Sequence, residues 1–320
     1  MLPDILGLHH VTAIGGEPQQ NIDFYAGIMG LRLVKLTVNY DDPQTYHIYY
    51  GDEDGHPGTI LTFFPWPGAP KGRKGSGQLT VTSFSIPRES MNYWVGRLKE
   101  HGIKFTGPTV RFEEQVISLS DPDGLNLELV AHPEADERSG WGGGQVPKEH
   151  AIRGFFGVTL SEEGYEKTAS LLVKTMGFAL VKEEGNRFRY EVGNGGPGAL
   201  VDVLCQPDAP PGLVSVGTVH HVAWRTPTNG QQKEWRKELI QANLNVTPII
   251  DRKYFHSIYF REPGGVLFEI ATDPPGFAID ERKEELGTKL MLPAALEPFR
   301  AELTQALPPV KLPTARASGK

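Results

Sequence analysis

Ten histidines stand against a single cysteine, Cys205, in a chain of 320 residues. One cysteine cannot build an intramolecular disulfide framework, a thiolate-rich zinc site or an iron–sulfur cluster. Any metal must therefore be held by nitrogen and oxygen. Four of the histidines form two tandem pairs, Leu8-His9-His10-Val11 and Val219-His220-His221-Val222. Each pair lies in an apolar stretch that reads as a strand. Adjacent strand residues point to opposite faces, so one histidine of each pair can aim straight at a common centre. Two such imidazoles plus a carboxylate make a metal-ligand inventory. A lone pair would read more simply as half-buried edge histidines; two pairs at equivalent positions favour ligation.

Internal repeats say what must position those residues. Met29-Gly-Leu-Arg-Leu-Val-Lys35 recurs 147 residues later as Met176-Gly-Phe-Ala-Leu-Val-Lys182. Asp121-Pro-Asp-Gly-Leu-Asn-Leu-Glu128 aligns at offset 141 with Glu262-Pro-Gly-Gly-Val-Leu-Phe-Glu269, closing glutamates in register. Val81 to Pro87 likewise aligns with His221 to Pro227. Four modules follow, at about 5–70, 78–132, 152–207 and 217–275. Each opens on a strand (Leu8 to Ile14, Val219 to Arg225) and continues into a helix (from Asn21 in the first, Gln231 to Ala242 in the last). Each then returns as alternating segments such as Tyr46 to Tyr50 and His256 to Phe260. Gly30, Gly102 and Gly177 sit where helices should stop. The expected fold is α+β: four βαβββ modules in two domains, 1–145 and 150–278. A C-terminal extension, 279–320, should carry two surface helices (Asp280 to Leu286, Leu296 to Leu307) and a tail from Pro308 on.

The repeat offsets also sort the ligand positions. Closing-strand positions of the four modules are Thr62, Glu128, Asp202 and Glu269. If module 1 faces module 4, their cup offers His10, Thr62, His221 and Glu269. Offset 147 carries His10 onto Gly157, and offset 140 carries His221 onto Val81. The cup between modules 2 and 3 therefore offers Val81, Gly157, Glu128 and Asp202, with no histidine.

Composition narrows the class. Gly 37 and Pro 26 favour short elements and turns over a helical bundle. A formal net charge of −7 argues against a nucleic-acid or anionic-membrane surface. No basic segment leads into an apolar one near Met1, and no apolar run approaches the roughly 20 residues of a membrane helix. The expectation is a cytoplasmic protein without a nucleic-acid or membrane partner.

The two-module cup, the spacing His10 to Tyr25 with Ile22-Asp-Phe-Tyr25, and Met29-Gly-Leu31 resemble the vicinal oxygen chelate (glyoxalase) superfamily. The resemblance covers roughly residues 5–275. More narrowly, the chain resembles the ring-cleaving dioxygenases that act on hydroquinones. Leu8 to Thr12, Tyr46 to Tyr50, Gly58 to Pro65, Gly72 to Ser76, Glu184 to Arg187, His220-His221 and Arg261 to Glu269 carry this likeness as a set. It implies two glyoxalase-like domains and Fe(II), with Mn(II) as the alternative ion, on His10, His221 and Glu269. O2 would be co-substrate and a small aromatic diol the substrate, with both oxygen atoms inserted as the ring opens. Catechol enzymes of the superfamily place their ligands in modules three and four; Gly157 excludes that here.

The resemblance further implies a surrounding shell. Tyr259 would hydrogen-bond the coordinated hydroxyl, and Arg252 would hold a phenolate charge. His9, His220 and Thr12 are near-metal positions, with a plain alternative for Thr12 as a backbone-bonded edge residue. His256, if inward, is a candidate general acid or base. His47 reads equally as structural or substrate-lining, and Tyr46, Tyr49, Phe63, Phe64 and Trp66 as core aromatics, some lining a pocket. Lys71 to Gly77 lacks the spacing of a phosphate loop and reads as a basic loop, placed over the cup mouth. Cys205 should be buried. Competing readings on the same fold are a glyoxalase-type isomerase or thiol transferase, and a metal-free binding protein. An exposed module edge leaves room for a homodimer.

Overall fold

The computed structural model describes residues 4–313. Module 1 contributes β1 (Leu8–Gly15), β2 (Arg32–Asn39), β3 (Asp42–Gly51) and β4 (Ile60–Pro65). Module 2 contributes β5 (Gln78–Pro87), β6 (Phe105–Arg111), β7 (Glu114–Ser120) and β8 (Asn126–His132). Module 3 supplies β9 (Phe155–Glu162), β10 (Ala179–Glu184), β11 (Arg187–Glu191) and β12 (Leu200–Cys205). Module 4 supplies β13 (Thr218–Thr226), β14 (Ile250–Asp251), β15 (His256–Arg261) and β16 (Leu267–Thr272). A helix follows the opening strand each time: α1 (Pro18–Ile22, running on as a π-helical turn to Ile28), α2 (Met91–Glu100), α3 (Glu166–Lys174) and α4 (Asn229–Gln241). The βαβββ pattern holds in all four.

Two eight-stranded sheets result. Sheet I runs β14-β15-β16-β13-β1-β4-β3-β2, so it joins module 4 to module 1. Sheet II runs β10-β11-β12-β9-β5-β8-β7-β6 and joins module 3 to module 2. Each sheet is closed at its middle by an antiparallel pair, β1 with β13 and β5 with β9. Gly30, Gly102 and Gly177 take φ of +70°, +66° and +77° at the helix ends, a conformation that costs other residues strain.

Strand alternation separates core from cup. Val11, Leu61, Phe63, Val222, Trp224, Phe268 and Ile270 pack with helix residues such as Trp235 and Leu239 in one continuous core. Burying a large apolar side chain there contributes roughly 2–3 kcal/mol. The intervening residues His10, Thr12, Thr62, His221 and Glu269 are also buried, on the other face.

The extension departs from expectation. Asp280 to Leu286 is not an α-helix; a single 3-10 turn, Lys283–Glu285, stands there, and Asp280 and Glu281 instead bind the buried Lys35 ammonium. Anchoring to a buried cation outweighs a short helix of modest propensity. The second helix is present in part, as α5 (Arg300–Ala306) after a 3-10 turn at Glu297–Phe299. The expected tail lies outside the described residues from 314 on. No helix among the described residues is long and apolar enough to cross a membrane.

Candidate metal centre

Register brings the ligands together. Across β1 and β13, Thr12 faces His221 and His10 faces Ala223; β13 runs parallel to β16 with Ala223 beside Glu269. The Nε2 atoms of His10 and His221 are 3.2 Å apart, and Glu269 Oε2 lies 3.3 Å from the first and 3.0 Å from the second. Two ligands about 2.1 Å from one ion lie about 3.0 Å apart when they subtend a right angle. The spacing suits three adjacent corners of an octahedron. Among the described residues this is the one group of three or more His, Cys, Asp or Glu with ligand atoms so close.

The hydrogen bonds show that these atoms want a cation. His9 Nε2 lies 3.2 Å from the Thr272 carbonyl, which can only accept, so the proton of a neutral His9 sits on Nε2. His9 Nδ1 must then accept from His10 Nδ1, 2.9 Å away. That leaves His10 Nε2 with a bare lone pair facing the cup. Burial keeps His9 neutral by pulling it well below the ordinary imidazole range, helped by His10. Burial also lowers His221, beside which His220 Nδ1 lies 2.7 Å from His221 Nδ1. Glu269 Oε2 is buried with no hydrogen-bond donor, although its Oε1 receives one from Ser257. Burial alone would raise this carboxyl; positive charge on the His10 and His221 side more than offsets that and holds it well below the carboxylate range, the role a bound cation would take. Converging lone pairs in a buried site are repulsive unless a cation lies between them. The donor set fits a divalent metal.

Simple alternation does not account for the accessory histidines. A register shift between Leu8 and His10 makes His9 a β-bulge, and a matching shift past Thr12 makes His220 a bulge on β13. A bulge re-aims a side chain locally. Both rings therefore lie against the ligand ring that follows, at centroid distances of 5.0 Å.

Above the ligands opens a cavity of about 320 Å³. Phe64, Trp66, Tyr49, Tyr40, Phe255 and Leu267 form its apolar wall, and Asn39, Asp41 and Arg252 its polar portion. Tyr259 and His220 face into it; burial, then His221, pushes His220 down to about 3. Arg252 Nε approaches the Tyr259 hydroxyl at 3.3 Å while its Nη1 holds Asp41 at 2.9 Å. Burial raises the Tyr259 phenol above its ordinary value, Glu269 adding to the effect, so it stays protonated. Thr62 takes the fourth ligand position, its hydroxyl tied to His47 and Thr12. Burial lowers His47 well below the ordinary imidazole range, with the nearby His10 and His221 adding to this.

Three expectations fail. His256 is not brought to the cavity: Ser257 and Tyr259 take the cup face of β15, so alternation turns His256 away, where Gln232 of α4 binds its carbonyl. The Lys71 to Gly77 loop does not cover the cavity but pairs with the 211–216 segment. Cys205 is half-buried at the strand end. Several contributors escaped the sequence reading: Asn39, Tyr40, Asp41 and Phe255 of the cavity wall, Ser257 and the Thr272 carbonyl. Ser257 was available through alternation from Tyr259, whereas the Thr272 carbonyl, a backbone group, leaves no sequence signal.

The chain belongs to the Glyoxalase/Bleomycin resistance protein/Dioxygenase superfamily: the family model matches residues 7–129 and 156–270. The two matched stretches are two glyoxalase-like domains of an α+β fold, and each gives one module to each sheet. Within that family it is 48% identical over 312 residues, 98% of this chain and 99% of the other, to a Bacillus subtilis protein named "Putative ring-cleaving dioxygenase MhqO". It is 34% identical to "Chlorohydroquinone/hydroquinone 1,2-dioxygenase" of Sphingobium indicum, over 96% and 97% of the two chains. A crystal structure of a dioxygenase, so described with the same qualifier, from Bacillus subtilis superposes with a TM-score of 0.92 at 48% identity, covering 97% and 98%. These relatives support an oxidoreductase of the dioxygenase type.

Proposed function

We propose that this protein is an Fe(II)-dependent, extradiol-type ring-cleaving dioxygenase that acts on hydroquinone-like aromatic diols, with O2 as co-substrate. The observation that carries the proposal is three converging ligand atoms on the floor of an aromatic-walled cavity wide enough for one ring. Mn(II) is the alternative ion. His10, His221 and Glu269 would hold it on one face. When bound, such an ion supplies charge to favour an ionised phenol and open positions for substrate oxygen and O2.

The chain's own groups do the rest. Phe64, Trp66 and Phe255 hold the ring and exclude water. With Arg252 donating to its oxygen, the Tyr259 phenol keeps its own proton for an acceptor in the cavity, suited to a ring hydroxyl oxygen. His9 and His220 orient the ligand imidazoles through their Nδ1 contacts. The test is anaerobic reconstitution with Fe(II) followed by oxygen uptake with methylhydroquinone and with catechol. Uptake with the hydroquinone and a ring-opened product carrying both oxygen atoms is expected. Bound iron without uptake on any diol would overturn the reading.

A further inference from the structure

We infer that Tyr49, His47 and Thr62 form a one-way hydrogen-bond chain that fixes the Thr12 hydroxyl as a proton donor into the metal cup, facing the oxygen of a bound diol. The inference rests on the diol reading for its acceptor and on the structure for its direction. Tyr49 is a buried phenol whose hydroxyl lies 2.8 Å from His47 Nδ1. A buried hydroxyl left without an acceptor would cost about 1–3 kcal/mol, so Tyr49 donates and His47 Nδ1 accepts. A neutral imidazole that accepts at Nδ1 carries its proton on Nε2. His47 Nε2 lies 2.9 Å from Thr62 Oγ1 and donates to it. Thr62 passes its own single proton to Thr12 Oγ1, also at 2.9 Å.

Thr12 thus receives a hydrogen bond and has one proton left. The hydrogen bonds among the described residues offer that proton no acceptor within the protein. Thr12 lines the cavity and faces His221 across the β1–β13 pair. The His47 ring cannot turn easily to reverse the chain, because Tyr49 and Phe64 flank it at centroid distances of 4.0 and 4.3 Å. Repeat symmetry adds a second argument. Asp202 stands at the place of Thr62 in sheet II, paired with Thr159 as Thr62 is with Thr12. Sheet I thus has hydroxyls where a carboxylate could sit. Thr62, at the fourth corner of the cup, directs Thr12 as a donor instead of serving as a ligand.

Tyr49, His47 and Thr62 are therefore positioning residues, and their tests need readouts that a wall residue would not move. Imidazole 15N NMR of the full chain without added metal, with His47 assigned by its loss in His47→Gln, should show the Nε2–H tautomer. Tyr49→Phe should erase that preference. An Nδ1–H tautomer or a charged His47 in the unaltered protein at neutral pH would overturn the chain. In the iron-loaded enzyme, Thr62→Val should lower kcat roughly tenfold with KM and iron content unchanged, and Thr62→Ser should restore it. Thr12→Val with Thr62→Val should be no slower than Thr12→Val alone, since both remove one donor. Additive losses, or a raised KM at constant kcat, would reject the inference. If no diol is turned over by the unaltered enzyme, ring cleavage falls, while the tautomer of His47 still decides the chain.

Discussion

In sheet I, Glu269 faces two imidazoles; at the same register in sheet II, Glu128 faces a guanidinium. Arg111 grips both oxygens of Glu128 at 2.6 and 2.7 Å, with Ser83 adding a third bond. Asp202, the counterpart of Thr62, is held by Arg187 and Arg189, and Arg189 also reaches Glu114. Three arginines balance three carboxylates, leaving a cavity of only about 10 Å³. A histidine at Gly157 has no space, since a Cβ there would lie 2.9 Å from the Leu200 carbonyl oxygen. The same βαβββ pair can neutralise its buried carboxylate in two ways. A tethered cation fills the cup and makes it structural, whereas a removable ion leaves room above it for a substrate.

The comparison can be broken most decisively through the two glutamates. Glu269→Ala should weaken ion binding roughly a hundredfold or more, measured as metal content after dialysis, whereas Glu128→Ala should leave it intact. Equal loss from both would mean that the cups are not distinct. Arg111→Met should destabilise the fold by about 3 kcal/mol in urea titrations, because it strands a buried carboxylate. Arg111→Met with Glu128→Leu should recover much of that loss, and no recovery would deny that charge is the cause. Fe(II) or Mn(II) at a hundred times its Kd should raise the unfolding free energy by about 2.7 kcal/mol. That gain should vanish in Glu269→Ala and persist in Glu128→Ala.

Smaller effects sharpen the contrast. Tyr259→Phe should retain its ion and turn over roughly tenfold more slowly, since Ser118 at the equivalent place in sheet II serves only Glu128. Unchanged kinetics would remove Tyr259 from the mechanism. Acidification should release the ion from sheet I. Protons compete with the metal for imidazole nitrogen, and burial lowers His221 below its ordinary value of 6.5. The proton is then the weaker competitor, so the release midpoint should fall below pH 6.5 in equilibrium dialysis. A midpoint above that value would contradict the buried, neutral imidazole.

Much of this contrast was legible before any coordinates. Offsets of 147, 140 and 141 residues match the strand register that places Gly157 opposite Ser83 and Glu269 beside Ala223. They grouped His10, Thr62, His221 and Glu269 in one cup and marked the second as histidine-free, because a repeat carries register as well as fold. Alternation alone failed at His9 and His220, where bulges break the two-residue period on which that argument depends. At His256 it would have succeeded: the alternation that offers Ser257 to the cup beside Tyr259 turns His256 away. The arginines of sheet II escaped notice: a charged residue on a strand reads as solvated until its partner across the sheet is known. Asp280 to Leu286 misled for a related reason, since nothing local announces that Lys35 is buried 245 residues away.

The seam between β1 and β13 carries a consequence for how the molecule comes into being. His10 is made 211 residues before His221 on its partner strand. Until then β1 has β4 on one side and an unsatisfied row of backbone groups on the other, an invitation to wrong pairing. The same delay means that no ion can be captured by the full trio on a growing chain. Metal loading should therefore be a late event, and slow folding through so distant a contact the cost of placing one centre between strands 211 residues apart.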